Sequence, residues 1–252
     1  MSEHEASDPQ APDNTTRVNK FIGESGFCSR READRLIGER RVTVNGKPAG
    51  IGTRVGPDDE VRIDGQRLRA RTPGKGNRRH VYIALNKPVG ITCTSEPEVA
   101  GNIVAFVGHQ QRIFPIGRLD KDSEGLILLT SNGDIVNRIL RAENVKEKEY
   151  LVAVNLPVSE TFLRGMARGV PIHDQITRPC KTAKLGKFGF RIVLTEGLNR
   201  QIRLMAAHFG YRVKQLLRVR IANIKLGHLK TGQWRNLSDA ELHGLLPEQT
   251  DW

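Results

Sequence analysis

The 252 residues carry 40 Lys+Arg against 28 Asp+Glu, giving a formal charge of +12, and 38% of them are hydrophobic. This suits a soluble protein with one ordinary domain and a small companion, and no run approaches the roughly 18 to 20 apolar residues of a membrane span. Three widely separated cysteines, Cys28, Cys93 and Cys180, exclude a disulfide framework or a paired-cysteine zinc site and read as reduced, packed thiols in a cytoplasm.

The opening "MSEHEASDPQAPDNTT" has neither a basic start nor an apolar stretch, so it predicts a disordered tail over 1–16 rather than a secretory leader. Residues 17–69 read as a compact module. Val18, Phe21 and Ile22 have helical spacing. In "SRREADRLIGER", Ser29 and Glu32 stand in capping-box register ahead of an Ala33, Leu36, Ile37 stripe. Arg30, Arg31 and Arg35 fall mostly off that stripe, where they are either a solvated face or contacts to an RNA backbone. Val42 and Val44 alternate before Asn45-Gly46, and Val61 and Ile63 before Asp64-Gly65, each a hairpin signal. "VNKFIGESGFCSRREADRLI" and "VTVNGKPAGIGTRV" together closely resemble the S4 RNA-binding domain, of the αL type.

"RARTPGKGNRRH" has Pro, Gly and basic residues without periodicity, so 70–80 is expected as a basic linker. Residues 17–79 and 80–252 each carry +8, so the shorter segment has roughly threefold the charge density, a pattern suited to phosphate contacts.

A second domain is expected over 81–247. "VYIALNKPVG" predicts a strand entering a turn, and "LILLT" and "YLVAV" are short apolar runs expected as buried strands. "FRIVLTEG" and "IANIKLGHL" add strands. "DIVNRILR" and "RQIRLMAAHFG" are helical in period. Strands and helices mix without regular crossover spacing, which predicts an α+β fold with a mixed, mostly antiparallel sheet flanked by helices.

"GRLDKDSEGLILLTSNGD" places acids at the mouth of a strand in a basic chain. Asp120, Asp122 and Glu124 alternate like a calcium loop, yet Gly125 comes one position early and no bidentate Glu follows, so no metal is expected. Asp122, Ser123 and Glu124 read as a solvated surface turn. Asp120, between Leu119 and the strand, can be partly desolvated and held ionised by an arginine, as a nucleophilic or basic carboxylate is prepared.

This stretch strongly resembles the signature of the RNA pseudouridine synthases, in the RsuA branch that carries an N-terminal S4 domain. "NKPVGITCT", "KEYLV", and "EGLNRQIRLMAAHFG" with "LLRVRIANIKL" match the family's other motifs in order. The nearest subgroup in character acts on large-subunit (23S) ribosomal RNA, with 16S ribosomal RNA or transfer RNA as the alternative substrates. The resemblance implies that Asp120 is the catalytic aspartate, Tyr150 contacts the target base, Arg203 pairs with the aspartate, and Arg118 holds the phosphate or the vacated space. It nominates Arg200 and Arg218 more weakly as RNA contacts. Leu204 stands where relatives often carry a second arginine.

Moving ribose from N1 to C5 of one uracil ring gains or loses no electrons, so no cofactor is expected, and neither GxGxxG nor a P-loop occurs. The reaction needs a base out of the stack, which costs a few kcal/mol, and a confined site. A non-catalytic S4 protein and an N-glycosidic hydrolase are the rival readings; the hydrolase would release free uracil. A monomer is the default assembly.

Overall fold

The computed structural model describes residues 15–68, 80–140 and 146–247, and two compact units divide between Asn77 and Arg78. The expected linker falls almost wholly outside the described residues, as do positions 1–14 of the expected tail. Thr15 and Thr16, inside the span expected as a tail, belong to the first unit. Thr16–Arg17 (β1) already pairs with Arg54–Val55 (β4), and the Arg54 guanidinium donates to Thr15 Oγ1 at 2.7 Å and to Thr15 O at 2.8 Å. A backbone claimed by a partner strand is ordered whatever its polarity.

The first unit continues with Val18–Ser25 (α1) and Arg30–Gly38 (α2). Ser29 caps α2 by accepting from Glu32 N at 3.0 Å, while the Glu32 carboxylate turns to Arg35. Val42–Val44 (β2), Lys47–Pro48 (β3), Val61–Ile63 (β5) and Gln66–Leu68 (β6) form a four-stranded sheet in the order β3-β2-β5-β6. Asn45 (φ 51°) with Gly46 (φ 79°), and Asp64 (φ 50°) with Gly65 (φ 78°), take the doubly left-handed conformation that the two hairpin signals require. Val18, Ile22, Ala33, Leu36, Ile37, Val42, Val61 and Ile63 are all buried in one core, with Phe21 and Cys28 packed at its edge.

The second unit contains Tyr82–Lys87 (β7), Ile103–Val107 (α3), Phe114–Ile116 (β8), Glu124–Thr130 (β9), Gly133–Leu140 (α4), Lys148–Val154 (β10), Glu160–Arg168 (α5) and the small hairpin Pro171–Ile172 (β11) with Gln175–Ile176 (β12). Lys181–Lys184 (β13), Gly189–Leu194 (β14), Gln201–His208 (α6), Val213–Ile221 (β15), Ile224–Lys225 (β16), Trp234–Asn236 (β17) and Asp239–Leu245 (α7) complete it. One mixed sheet runs β13-β14-β10-β15-β9-β7-β17, with β8 and β16 paired beside it. Every pairing is antiparallel except β15 with β9. The expected α+β architecture is thereby realised.

Leu126 to Leu129 of "LILLT" are apolar without alternation because β9 is covered on both faces. Leu126 and Leu128 pack with Ile116, Ile135 and Ile139; Ile127 and Leu129 pack with Ile83, Leu85 and Phe162. Each such side chain contributes about 1.5–3 kcal/mol on burial. "YLVAV" differs: Tyr150, Val152 and Val154 are buried while Leu151 and Ala153 are half-buried, so β10 has one covered face. Helix α5, not among the expected elements, is amphipathic: Phe162, Leu163 and Met166 fall on one face and are buried.

Candidate active site

The turn between β8 and β9 is built on the "NKPVGITCT" segment. Gly90 N donates to Lys121 O at 2.7 Å, and Cys93 Sγ donates to Leu119 O at 3.1 Å. Lys87 is wholly buried and donates from Nζ to Pro88 O (2.8 Å) and Ile91 O (3.0 Å), tying off the turn that follows β7. Burial pushes the Lys87 ammonium below its ordinary pKa, against the attraction of Cys93, Asp120 and Asp122. Ser123 N then closes the acidic turn by donating to Asp120 O at 3.0 Å. Asp120 is left half-buried, and its carboxylate takes no hydrogen bond or ion pair among the described residues.

Gly125 explains how close the next strand comes. Its φ is +109°, and a Cβ there would stand 2.3 Å from Arg218 O and 2.6 Å from Arg218 N. The missing side chain lets β9 and β15 meet in parallel at Leu217↔Glu124 and Arg218↔Gly125. Arg218 is 4% exposed, and it donates from Nε to Leu126 O at 2.6 Å and from Nη1 to Arg118 O at 3.2 Å. It thus braces both sides of the Asp120 turn.

Helix α6 supplies two more guanidiniums. Arg200, in left-handed conformation (φ 51°) at its N-cap, grips Asp122 with both terminal nitrogens, at 3.2 and 3.0 Å. Arg203, one turn further, donates from Nη2 to Asp122 O (2.8 Å) and Ser123 Oγ (3.1 Å), with Nε 3.5 Å from Asp122 Oδ2. Burial alone would raise the Asp122 carboxyl, but the Arg200 hydrogen bond and both arginine charges outweigh it and hold the group below its usual range. The loop ahead of α6 stiffens itself: Gln201 accepts from Leu198 N at 3.0 Å and donates to Glu196 at 2.7 Å.

Asp120, Tyr150, Arg118, Arg200, Arg203 and Arg218 all line one cleft of about 630 Å³, which reaches down to Leu128, Leu194, Leu216 and Ile221. The volume lies in the range of small-molecule sites. Tyr150, 7% exposed, comes up from β10. Six polar side chains drawn from sequence positions 118 to 218 meet in a space able to hold a single nucleoside.

A profile of the RNA pseudouridylate synthase family matches residues 81–208, more than half of the chain, and one of the S4 domain matches 16–61. The chain belongs to the RNA pseudouridine synthase family. The synthase is 55% identical over 231 residues to the dual-specificity RNA pseudouridine synthase RluF of Escherichia coli strain K12, covering 92% of this chain and 78% of that protein. It is 33% identical over 239 residues to the ribosomal large subunit pseudouridine synthase B of Bacillus subtilis, covering 91% and 95%. A crystal structure of a pseudouridylate synthase superposes with a TM-score of 0.65 at 28% identity, covering 91% of this chain and 99% of that one.

The structure redraws several expected pairings of the synthase. Arg203 engages Asp122 and Ser123, not the Asp120 carboxylate. The "solvated turn" is only partly so, since Ser123 is wholly buried and Asp122 is ion-paired twice. Arg218, expected as an RNA contact, has the geometry of a brace. Arg118 is exposed at the cleft mouth. In the S4 unit Arg30 and Arg31 are exposed, whereas Arg35 is held by Glu32 and by Glu39 at 2.8 Å. Sequence reasoning overlooked Lys87, Lys148 and Glu196; the nearest signal was the "K-E-Y" spacing that puts Lys148 and Tyr150 on one strand face. Among the described residues, no group of three or more His, Cys, Asp or Glu could hold a metal, and no helix is long and apolar enough to cross a membrane.

Proposed function

We propose that Asp120 performs the chemistry of uridine isomerisation in this cleft, acting on a nucleotide everted from ribosomal RNA. The observation that carries the reading is the convergence of Asp120, Tyr150 and four arginines on one nucleoside-sized space. Unlike Asp122, Asp120 has no cation bonded to it among the described residues, so both its oxygens are available to a substrate ribose. Tyr150 offers a ring to the uracil, and such contacts return about 1–3 kcal/mol of the eversion cost. Arg118 and Arg200, exposed at the mouth, suit the flanking phosphates, while Arg203 fixes the turn on which Asp120 stands. Arg30, Arg31 and Arg35 in the S4 unit supply further contacts to the RNA backbone.

The names of the two relatives, one "dual-specificity" and one "ribosomal large subunit", support large-subunit ribosomal RNA as substrate, with a second class of RNA for a protein this close to the first. The isomerisation balances without an external oxidant, reductant or hydrolytic water, so the enzyme needs no cofactor, and it works in the cytoplasm as a monomer. Incubation with large-subunit ribosomal RNA carrying tritium at C5 of uridine tests the assignment. Wild-type protein is expected to release tritium to water and Asp120→Asn none. Equal release from both would overturn the role of Asp120, and free uracil as the product would replace isomerisation with hydrolysis.

A further inference from the structure

Lys148 opens strand β10 two residues before Tyr150, so the two side chains leave the same face about 7 Å apart along the strand. Both line the cleft that holds Asp120. The cross-strand partners of Lys148 are apolar on both sides, Leu194 on β14 and Ile221 on β15, and both of these line the cleft as well. An ammonium carries three donors. Among the described residues the Lys148 amine makes one long hydrogen bond, to Lys146 O at 3.4 Å, and no ion pair.

Its neighbours on β10 and β15 are treated very differently. Glu149 accepts from Arg220 at 2.9 Å and from Arg191 at 3.2 Å, and Arg220 also donates to Glu147 at 3.0 Å. The fold therefore has carboxylates within reach of this strand end and commits them elsewhere. A half-buried cation left with spare donors among leucine and isoleucine is a costly arrangement unless an anion arrives to meet it. Burial, aided by the nearby Arg218 charge and opposed by Glu196, already pushes the Lys148 ammonium below its ordinary pKa.

The proposed reaction brings such an anion. When the C1′–N1 bond breaks, its electron pair leaves with the uracil and spreads over N1, O2 and O4. The pair then returns from C5 to C1′, the C5 proton leaves and N1 takes one up, so the net change is an isomerisation. This holds whether Asp120 attacks C1′ or removes a ribose proton. A flanking phosphate is the other anion at hand, but the exposed guanidiniums of Arg118 and Arg200 stand at the mouth, whereas Lys148 lies beside Tyr150 against apolar walls.

We propose that Lys148 is a further catalytic residue of the synthase, its amine donating to a carbonyl oxygen of the everted uracil and stabilising the uracil anion released from the ribose. The inference rests on the reading of Asp120 given above. A fixed donor aimed at developing charge in a site shielded from water contributes about 10²- to 10³-fold in rate.

The test uses full-length protein with large-subunit ribosomal RNA transcribed with either UTP or 5-fluoro-UTP, read by RNA affinity and by single-turnover loss of the C1′–N1 bond at saturating enzyme, the step both substrates share, since 5-fluorouridine has no C5 proton to lose afterwards. Fluorine withdraws electrons from the ring and makes its anion a better leaving group, so a fluorinated substrate depends less on Lys148. Lys148→Met is expected to bind RNA within about threefold of wild type and to convert uridine on the order of 100-fold more slowly. The penalty on 5-fluorouridine is expected to be at least tenfold smaller. Lys148→Arg, which keeps charge and bulk, is expected to recover part of the rate and carries the comparison if the Met variant fails to fold. Weakened affinity with an unchanged saturated rate would make Lys148 a phosphate contact and overturn the proposal. Equal slowing on both substrates would overturn it in favour of a structural role. Asp120→Asn run alongside separates the two readings. An inactive Asp120→Asn beside a Lys148→Met of wild-type rate removes only the inference about Lys148, while an active Asp120→Asn removes the one beneath it.

Discussion

Two aspartates, two positions apart, have opposite environments in this protein. Asp120 faces the cleft without a bonded cation, and Asp122 is gripped by Arg200 and approached by Arg203. Position in the turn already marked Asp120 as the one to be desolvated, but that Asp122 is ion-paired follows only from contacts some 80 residues downstream. Asp122→Asn is expected to cost under about 1 kcal/mol at neutral pH, because the carboxylate is 46% exposed and such pairs are screened by water. Arg203 would keep its bonds to Asp122 O and Ser123 Oγ, neither of which the substitution removes. The pH dependence has a definite sign. The folded carboxyl titrates below the unfolded one, so its contribution is fully present above about pH 4 and is lost as pH falls through the depressed folded value. Denaturant midpoints of wild type and Asp122→Asn should therefore differ at pH 7 and converge in acid. A difference that grows on acidification would exclude this account.

At the scale of elements, the site depends on β9 and β15 meeting in parallel over two residues, and that contact depends on Gly125. Gly125→Ala must either part the strands or displace the Arg218 backbone, and it also forces a side chain into φ +109°. A loss of at least about 2 kcal/mol is expected from these combined effects. The unfolding temperature reads that loss, and tritium release should fall further than the fraction unfolded explains, because Arg218 carries the Arg118 carbonyl next to Asp120. Retained activity with lowered stability would show that the brace is dispensable. The strand β9 itself was legible, since an apolar run bounded by turn residues is what burial on both faces demands. So were both S4 hairpins, through Asn45-Gly46 and Asp64-Gly65, whose left-handed conformations are a local property. The convergence of positions 120, 150, 203 and 218 was accessible only through family resemblance. The partner of Arg203 was misassigned even so, because a guanidinium can reach either of two neighbouring acids and tertiary geometry chooses between them. Lys148 gave only the local signal of sharing a strand face with Tyr150; its meaning comes from Leu194 and Ile221 across the strands.

Across the whole molecule the decisive quantity is charge, +12 in total and densest over residues 17–79. Charge that contacts phosphate releases counterions, so affinity for RNA should fall linearly in log–log form as salt rises, by roughly 0.7 to 0.9 in slope for each phosphate neutralised. Formal charge overstates the cations that are available, however, since many arginines are already matched. Arg35 is held between Glu32 and Glu39, and Arg41 between Glu39 and Asp64, while Arg30 on the same helix as Arg35 is exposed. Two substitutions with the same change in net charge should therefore behave differently. Arg30→Ala is expected to flatten the salt dependence by about 0.8, the value for one phosphate contact. Arg35→Ala should flatten it by less than half as much, because its charge is already shared with two glutamates and RNA must displace them to use it. Binding titrations between low and moderate salt measure both slopes. Equal slopes for the two variants would mean that net charge alone steers the RNA, and that the pattern of internal ion pairs on the S4 unit has no part in selecting which arginines touch it.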